Sequence, residues 1–187
     1  VGKIEDKMGI HGSETAELIF DDCRVPKENL IGKEGQGFKI AMTALDGARI
    51  GVAAQALGIA QRALDESVKY MKERIQFGKP IAALQGLQWY ISDMATKIEC
   101  AKWMVFRAAW LKVDGQPYTK EAAIAKLNAS ETANFVVNKA LQIHGGYGYM
   151  KDYAIERMYR DARIIPLYEG TSEIQKVVIS RAVITGK

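Results

Sequence analysis

The chain has 187 residues, of which 48% are hydrophobic and 26% are charged, with 17 glycines and 4 prolines. This length and composition allow one large folded domain with a real core, and they exclude disordered, collagen-like and low-complexity classes. The net charge of +4 arises from 26 basic and 22 acidic residues that interleave along the chain, so we expect no nucleic-acid binding.

Residues 1–33 differ in pattern from everything after them. The β-rich stretches 16–20 and 23–25 are punctuated by glycine and proline, which predicts one or two strands. Because a lone strand pair is not stable in water, such strands need a larger sheet to join.

From about residue 34 onward the apolar positions repeat with helical spacing. Residues 38–74, 84–112 and 119–144 predict three long helices, and residues 154–162 and 171–184 predict a shorter pair. The seam of the second helix is the clearest, with spacings that alternate between three and four: Leu84, Leu87, Ile91, Met94, Ile98, Ala101, Val105 and Ala108. Long helices and short connections predict a mainly α fold, an antiparallel four-helix bundle with a short N-terminal β segment.

Two further features concern the surface and the compartment. Alanine- and glycine-rich faces on the first and third helices offer more apolar surface than one bundle core needs, so we expect self-association.

Cys23 and Cys100 fall in unlike segments, which predicts neither a disulfide framework nor a zinc site. We therefore expect a reducing compartment, the cytoplasm or, in a eukaryote, the mitochondrial matrix. No apolar run approaches the roughly 18 residues of a membrane span.

Three irregular segments between the helices combine glycine with polar or aromatic residues: Arg74–Pro80, Gln142–Tyr149 and Leu167–Gln175. Each segment alone is compatible with a plain loop or cap. In the third, Ser172 and Gln175 have capping-box spacing, which predicts a helix start, and Glu169 stands just before it. Backbone donors at a helix start bind phosphate or a developing oxyanion, and a carboxylate beside them is placed to take a proton.

Together these segments resemble the acyl-CoA dehydrogenase family. Residues 74–80 resemble its R-x-x-FG-K-P turn, and residues 142–149 resemble its Q-I-x-GG-x-GY turn. The most specific match is Tyr159-Arg160-Asp161-Ala162-Arg163 followed by Tyr168-Glu169-Gly170-Thr171-Ser172-Glu173, which resembles the family's R-D-A-R stretch and catalytic segment. The resemblance covers essentially the whole chain.

The resemblance carries a domain assignment. It implies that residues 34–187 form the family's C-terminal helical bundle domain and that residues 1–33 are the tail end of its middle β-domain. The N-terminal helical domain and most of the β-domain then lie outside this sequence. In the family such bundles assemble as homo-oligomers, so a tetramer or a dimer is implied.

The implied activity is that of an FAD-dependent dehydrogenase, which oxidises an acyl-CoA, most like a short-chain or branched short-chain one, to trans-2-enoyl-CoA. Electrons then pass to an electron-transfer flavoprotein. Glu169 matches the base that removes the α-proton, and Gly170 matches a substrate contact. Asp46 and Arg49 match positions that face the CoA portion, although their i,i+3 spacing equally predicts a helix ion pair.

The resemblance also implies a flavin site, with members on several segments. Arg74 and Phe77 match positions on the pyrophosphate and adenine side of FAD. The other matching positions are Gln85, Gln142, Gly145, Gly146, Thr171, Ser172 and Glu173. In the family the turn that holds Gln142 touches FAD bound mainly by a neighbouring subunit. His144 lies within that turn, and we expect it to pack or to make a local hydrogen bond, because no other residue completes a metal site.

Alternative interpretations remain for every one of these positions. Arg74 is also compatible with a surface cation, and Phe77 with an aromatic that packs on its turn. Gln85 is compatible with a solvated amide, and Glu169 with an ordinary carboxylate at a helix start. Two other functions stay open for the chain as a whole. One is an acyl-CoA oxidase, which shares the base and the flavin but reoxidises with oxygen. The other is a non-catalytic helical oligomerisation module.

Overall fold

The helices begin and end close to where the apolar spacing predicts them. In this computed structural model, which describes residues 1–186, the five helices are α1 (Gly37–Glu73), α2 (Gln85–Val113), α3 (Thr119–His144), α4 (Ala154–Ala162) and α5 (Ser172–Thr185). Three 3-10 turns lie at Lys27–Asn29, Ile81–Ala83 and Gly145–Tyr149. This architecture confirms the mainly α bundle.

Helix α3 is the central element, and it contacts each of the other four helices. Small side chains let it approach α1 closely. The fully buried alanines are Ala53, Ala56, Ala60 and Ala63 on α1, and Ala122, Ala123, Ala125, Ala129, Ala133 and Ala140 on α3. These alanines are therefore used inside the bundle, whereas Gly51 and Gly58 of α1 remain exposed, and self-association stays a prediction.

A group of exposed aromatic side chains lies on one side of α2. Trp103, Phe106 and Trp110 follow one another at helical spacing, and their exposed fractions are 63%, 51% and 62%. We call these three residues the α2 aromatic face. Burial of exposed aromatic surface of this kind against another molecule lowers its free energy.

The N-terminal segment contains less sheet than predicted. Pairing is limited to an isolated antiparallel bridge between Ile4 and Ala16 and to backbone hydrogen bonds beside it. The stretches 17–20 and 23–25 form no strand, so the prediction of strands there is wrong for the described residues. The reason is physical, because no sheet within residues 1–186 offers them an edge to pair with.

The turn after α1 forms a hairpin that the sequence pattern did not predict. Strands β1 (Ile75–Gln76) and β2 (Lys79–Pro80) pair antiparallel, with Ile75 opposite Pro80. The two residues between them, Phe77 and Gly78, have φ of +53° and +76°. Positive φ at both central residues gives the turn the twist of the strands that flank it. The hairpin therefore presents the Phe77 ring, which is 86% exposed, at its tip.

Candidate active site

A strained turn carries Glu169 immediately before α5. Glu169 and Gly170 both have positive φ, +53° and +91°. A Cβ atom at position 170 would lie 2.7 Å from Nε2 of Gln175, so both the conformation and the space require glycine there. Thr171 is the N-cap of α5, and its Oγ1 accepts from the backbone N–H of Ile174. The helix start was predicted correctly, but the capping side chain is Thr171 and not Ser172.

The two carboxylates of this segment have different environments. Glu169 is half-buried, and its Oε2 atom is buried without a hydrogen-bond partner among the described residues. Glu173 is exposed, and hydrogen bonds from its own backbone amide and from the Thr171 hydroxyl lower its pKa. A buried carboxylate oxygen without a donor is costly and needs an explanation. Glu169 therefore has the environment expected of a carboxylate whose hydrogen-bond partner is a bound ligand.

Behind the turn lies a lysine that the sequence analysis missed. Lys126 is fully buried on α3, and its Nζ donates to the carbonyl oxygen of Gly170 at 2.7 Å. Gln175, also fully buried, donates from Nε2 to the carbonyl oxygens of Glu169 at 3.2 Å and Gly170 at 2.9 Å. Both backbone carbonyls of the turn are therefore held by side chains from the bundle core.

Burial is the main influence on the Lys126 ammonium. Burial, together with the nearby positive charge of Arg49, lowers the pKa of Lys126 to about 8, although Glu169 and Glu173 act in the opposite direction. The sequence did contain a signal that Lys126 is buried. Lys126 lies four residues after Ala122 and three before Ala129, in phase with the buried alanine stripe of α3.

An ion pair on α1 lies near the same lysine. Arg49, 5% exposed, donates from Nη1 to Oδ1 of Asp46 at 2.6 Å. The other carboxylate oxygen of Asp46 accepts from Oγ1 of Thr119 at 2.7 Å, which joins α1 to the start of α3. The i,i+3 ion pair that the spacing predicts is thus confirmed. Contact of these two residues with a CoA moiety stays a prediction.

A second group of predicted residues meets in a cleft at the other end of α3. The cleft has a volume of about 660 Å³, and its lining includes Arg74, Phe77, Gln142, Gly145 and Gly146. Gln85 does not line it and is instead exposed as the first residue of α2. The structure therefore brings five of the predicted flavin residues together.

The chemistry of this cleft combines a cation, aromatic rings and open backbone. The Arg74 guanidinium carbon lies 5.3 Å from the ring centroid of Tyr147, and no carboxylate within residues 1–186 forms an ion pair with Arg74. Gly145 has φ of +59°, and a Cβ there would meet nothing within 4 Å. A guanidinium suits phosphate oxygens, and a bare glycine backbone lets a ligand come close.

His144 forms the floor of this cleft in the manner we predicted. Its ring stacks on Tyr70 with centroids 4.3 Å apart, and its Nδ1 lies 2.8 Å from the carbonyl oxygen of Ala140. Burial lowers the pKa of His144. Within residues 1–186, no cluster of His, Cys, Asp and Glu side chains could hold a metal ion.

The two groups of residues lie well apart along α3. Lys126 and Gln142 lie sixteen residues apart on α3, which is about 24 Å along a helix that rises 1.5 Å per residue. The Glu169 turn and the Arg74 cleft therefore lie near opposite ends of α3. Each offers part of a ligand site.

Comparison with known proteins identifies the family of the chain. The family described as "Acyl-CoA dehydrogenase, C-terminal domain" matches residues 35–184. The acryloyl-CoA reductase (NADH) of Anaerotignum propionicum is 72% identical over 98% of this chain and 46% of its own length. The chain superposes with a TM-score of 0.97 on the butyryl-CoA dehydrogenase of Megasphaera elsdenii, at 54% identity, over 98% of this chain and 48% of that one.

A second solved structure matches equally well. It is that of the electron transferring flavoprotein of Acidaminococcus fermentans, in which the matching chain is 61% identical with a TM-score of 0.97, over 98% of this chain and 48% of that one. The chain thus spans about half the length of the relatives it matches. None of the helices in residues 1–186 is long and apolar enough to cross a membrane. The family match and the two superpositions agree, and the chain belongs to the acyl-CoA dehydrogenase family.

Proposed function

We propose that this chain supplies the catalytic base and part of the flavin site of an FAD-dependent acyl-CoA dehydrogenase. The observation that carries the proposal is that Oε2 of Glu169 is buried without a hydrogen-bond partner in the described part of the chain, on a turn with two consecutive positive φ angles. Strained turns of this kind persist where the surrounding structure holds them, and they cluster at active sites. The carboxylate is placed to accept a proton from a ligand bound beside α5.

The Arg74 cleft suits the adenine and pyrophosphate part of FAD. Arg74 would hold phosphate oxygens, and the exposed Phe77 ring would pack on an apolar or aromatic part of the cofactor. Gln142, Gly145 and Gly146 would offer an amide and open backbone. In the family the Gln142 turn touches FAD bound mainly by a neighbouring subunit, and on that pattern the FAD that contacts one subunit's cleft would serve the Glu169 turn of another.

The chemistry assigned to the Glu169 turn is removal of the proton α to a thioester carbonyl. The C–H bond at Cα breaks, its proton goes to the Glu169 carboxylate, and its electron pair forms the new Cα=Cβ bond. When bound, FAD supplies the acceptor for the β-hydrogen and its electron pair. Exclusion of water by the acyl chain would strengthen the carboxylate as a base, since desolvation disfavours its charged form. The product is a trans-2-enoyl-CoA.

A second candidate is the same chemistry run in reverse. It is favoured by the 72% identity with an acryloyl-CoA reductase (NADH). In that direction Glu169, protonated, would donate to Cα while hydride reaches Cβ. Incubating the holoenzyme with NADH, acryloyl-CoA and an electron-transferring flavoprotein distinguishes the two directions. Net formation of propionyl-CoA would favour the reductase, and its absence alongside oxidation of a saturated acyl-CoA would favour the dehydrogenase.

Two partners accompany this proposal. One is an electron-transfer flavoprotein, supported by the 61% identity with a chain in the structure of such a protein. The other is a further copy of the chain, in a dimer or tetramer, because each chain holds only parts of the site. For the same reason we expect the isolated chain to bind FAD weakly or not at all, which flavin absorbance after desalting measures.

The proposal is tested by anaerobic mixing of the holoenzyme with saturated acyl-CoA thioesters of increasing chain length. We expect the flavin to bleach with the short chains in the wild type. Glu169→Gln should slow this by about 10²–10⁴-fold while flavin content is kept, because the amide cannot accept a proton. Glu173→Gln is the matched control and should bleach at close to the wild-type rate.

The rival functions give different results in the same experiment. Wild-type flavin that does not bleach with any acyl-CoA, or a protein that retains no flavin, would contradict the proposal and favour a non-catalytic module. Rapid reoxidation of the bleached flavin by oxygen would favour an oxidase. Slow reoxidation by oxygen, with fast reoxidation by an electron-transfer flavoprotein, is the result we expect.

A further inference from the structure

The loop that carries Glu169 is held from behind by two buried polar side chains. Lys126 and Gln175 have no exposed surface, and their three hydrogen bonds all end on the two backbone carbonyl oxygens of Glu169 and Gly170. Buried lysines are rare, because the ammonium loses its hydration, and they are kept where they have a specific partner. Here that partner is one carbonyl oxygen of the Glu169 turn.

The hydrogen bonds meet the turn where its backbone is strained. Glu169 has φ of +53°, a conformation that is uncommon for a residue with a side chain. Such conformations cost free energy and persist only when surrounding contacts hold them. The carbonyl oxygens of residues 169 and 170 flank the φ of +91° at Gly170, so fixing both of them fixes the direction in which the Glu169 side chain leaves the turn.

The Lys126 contact reaches across the fold. Lys126 belongs to α3 and the turn precedes α5, so the 2.7 Å hydrogen bond ties the turn to the central helix of the bundle. Gln175 belongs to α5 itself and secures the turn only to its own helix. Glu169 also acts electrostatically on the Lys126 ammonium, which indicates that the two charges are neighbours.

We propose that Lys126 is a positioning residue for the α-proton base: its ammonium, assisted by Gln175, holds the carbonyl of Gly170 and thereby aims the Glu169 carboxylate. The inference rests on the proposed function for its catalytic consequence. Lys126 touches neither substrate nor flavin in this scheme and acts through the turn. Without it, we expect the turn to relax toward ordinary φ values and the carboxylate to leave its position.

The test uses Lys126→Met, which keeps the length and apolar bulk of the side chain and removes the donor. Lys139→Met is the matched control, because Lys139 lies on the same helix and its Nζ packs 4.1 Å from the ring centroid of Tyr90. In the holoenzyme we expect Lys126→Met to slow acyl-CoA-dependent bleaching, per bound flavin, by about 10²-fold, since misplacement of a catalytic group by 1 Å can cost that much. Lys139→Met should bleach at the wild-type rate.

A second readout needs no flavin and no substrate. Hydrogen–deuterium exchange of the chain itself reports the turn through peptides that cover residues 167–175. We expect exchange there to rise by roughly tenfold in Lys126→Met, because a bond that holds the turn closed is lost, and to stay unchanged in Lys139→Met. Where Lys126→Met does not fold, Lys126→Gln replaces it. That variant keeps a shorter, uncharged donor and should lose roughly tenfold in rate.

The outcomes separate this inference from the function it rests on. If wild-type flavin does not bleach with acyl-CoA, the proposed function fails, while exchange at residues 167–175 still tests the positioning role. If wild type bleaches and Lys126→Met bleaches equally fast per bound flavin, the positioning role is wrong and the function stands. Unchanged exchange at the turn in Lys126→Met would also overturn the inference.

Discussion

Removal of Asp46 should destabilise the bundle far more than removal of an ordinary surface ion-pair partner. The Arg49 side chain is 6% exposed and that of Asp46 is 20% exposed, and the Nε of Arg49 is already buried without a hydrogen-bond partner among residues 1–186. Asp46→Ala leaves the guanidinium buried, with the positive charge of Lys126 nearby. Breaking a buried pair in this way costs about 3–5 kcal/mol, because the remaining charge is uncompensated.

The same helix provides the control. Arg62 and Glu66 form an i,i+4 ion pair in which the Arg62 side chain is 65% exposed, and pairs of this kind contribute only about 0.3–0.5 kcal/mol. For a chain of this size each kcal/mol changes the melting temperature by about 2–4 °C. Asp46→Ala should therefore melt roughly 6–20 °C below the wild type, and Glu66→Ala should melt within about 2 °C of it.

Thermal and urea unfolding of the purified chain, followed by circular dichroism, make the measurement at one fixed protein concentration. The double variant Asp46→Ala, Arg49→Met should regain most of the lost stability, since the buried guanidinium that Asp46 compensates is then removed as well. Equal losses in Asp46→Ala and Glu66→Ala would refute the reasoning. So would a double variant that is no more stable than Asp46→Ala alone.

Three further predictions concern the chain by itself. Gly170→Ala should lower the free energy of unfolding by about 1–3 kcal/mol, whereas Gly51→Ala, in the open on α1, should raise it by up to about 1 kcal/mol, as urea unfolding would measure. Burial lowers the pKa of His144, so the imidazole binds a proton more readily in the unfolded chain than in the folded one. The free energy of unfolding should therefore fall as the pH drops below about 6.5. His144→Phe should flatten this dependence in unfolding curves taken from pH 5 to 8. Replacing Trp103 and Trp110 with glutamate should shift the chain toward monomer in light scattering, because both belong to the exposed α2 aromatic face.

The bounds of the helices could be predicted from the sequence because their cores obey a simple period. The seam of α2, with Met94, Ile98, Ala101, Val105 and Ala108 all buried, alternates spacings of three and four as the pattern requires. The first and last helical residues then follow from the glycine, proline and polar residues at each end. Strands could not be predicted equally well, since a strand needs a partner and no sheet within residues 1–186 pairs with the stretches 17–20 and 23–25.

The candidate site was predictable only where its residues form a local motif. Glu169 and the residues after it stand together in sequence, and so do the residues of the Arg74 turn. Lys126 was missed because a lysine on a helix is usually solvent-facing, and Gln175 was assigned to a capping box with Ser172 and not to the carbonyls of the turn. The role of Lys126 depends on a contact with Gly170, which is more than forty residues away in the sequence. Only the fold brings these two segments together.

The separation of the Arg74 cleft from the Glu169 turn along α3 has a functional consequence. If each flavin is held by the Arg74 cleft of one chain and serves the Glu169 turn of another, the oligomer and the active site form together. Dissociation would then release flavin and abolish activity at once. Variants of the α2 aromatic face would reveal this coupling in the holoenzyme if that face lies between subunits.

The most direct test of the account is exchange of the α-hydrogen of a short saturated acyl-CoA in deuterated water. This reports the proton transfer itself and does not depend on the electron acceptor. We predict that the wild-type holoenzyme labels the α-carbon and that Glu169→Gln does so at least about 10²-fold more slowly at equal flavin content. Labelling by Glu169→Gln at the wild-type rate would contradict the assignment of Glu169 as the base.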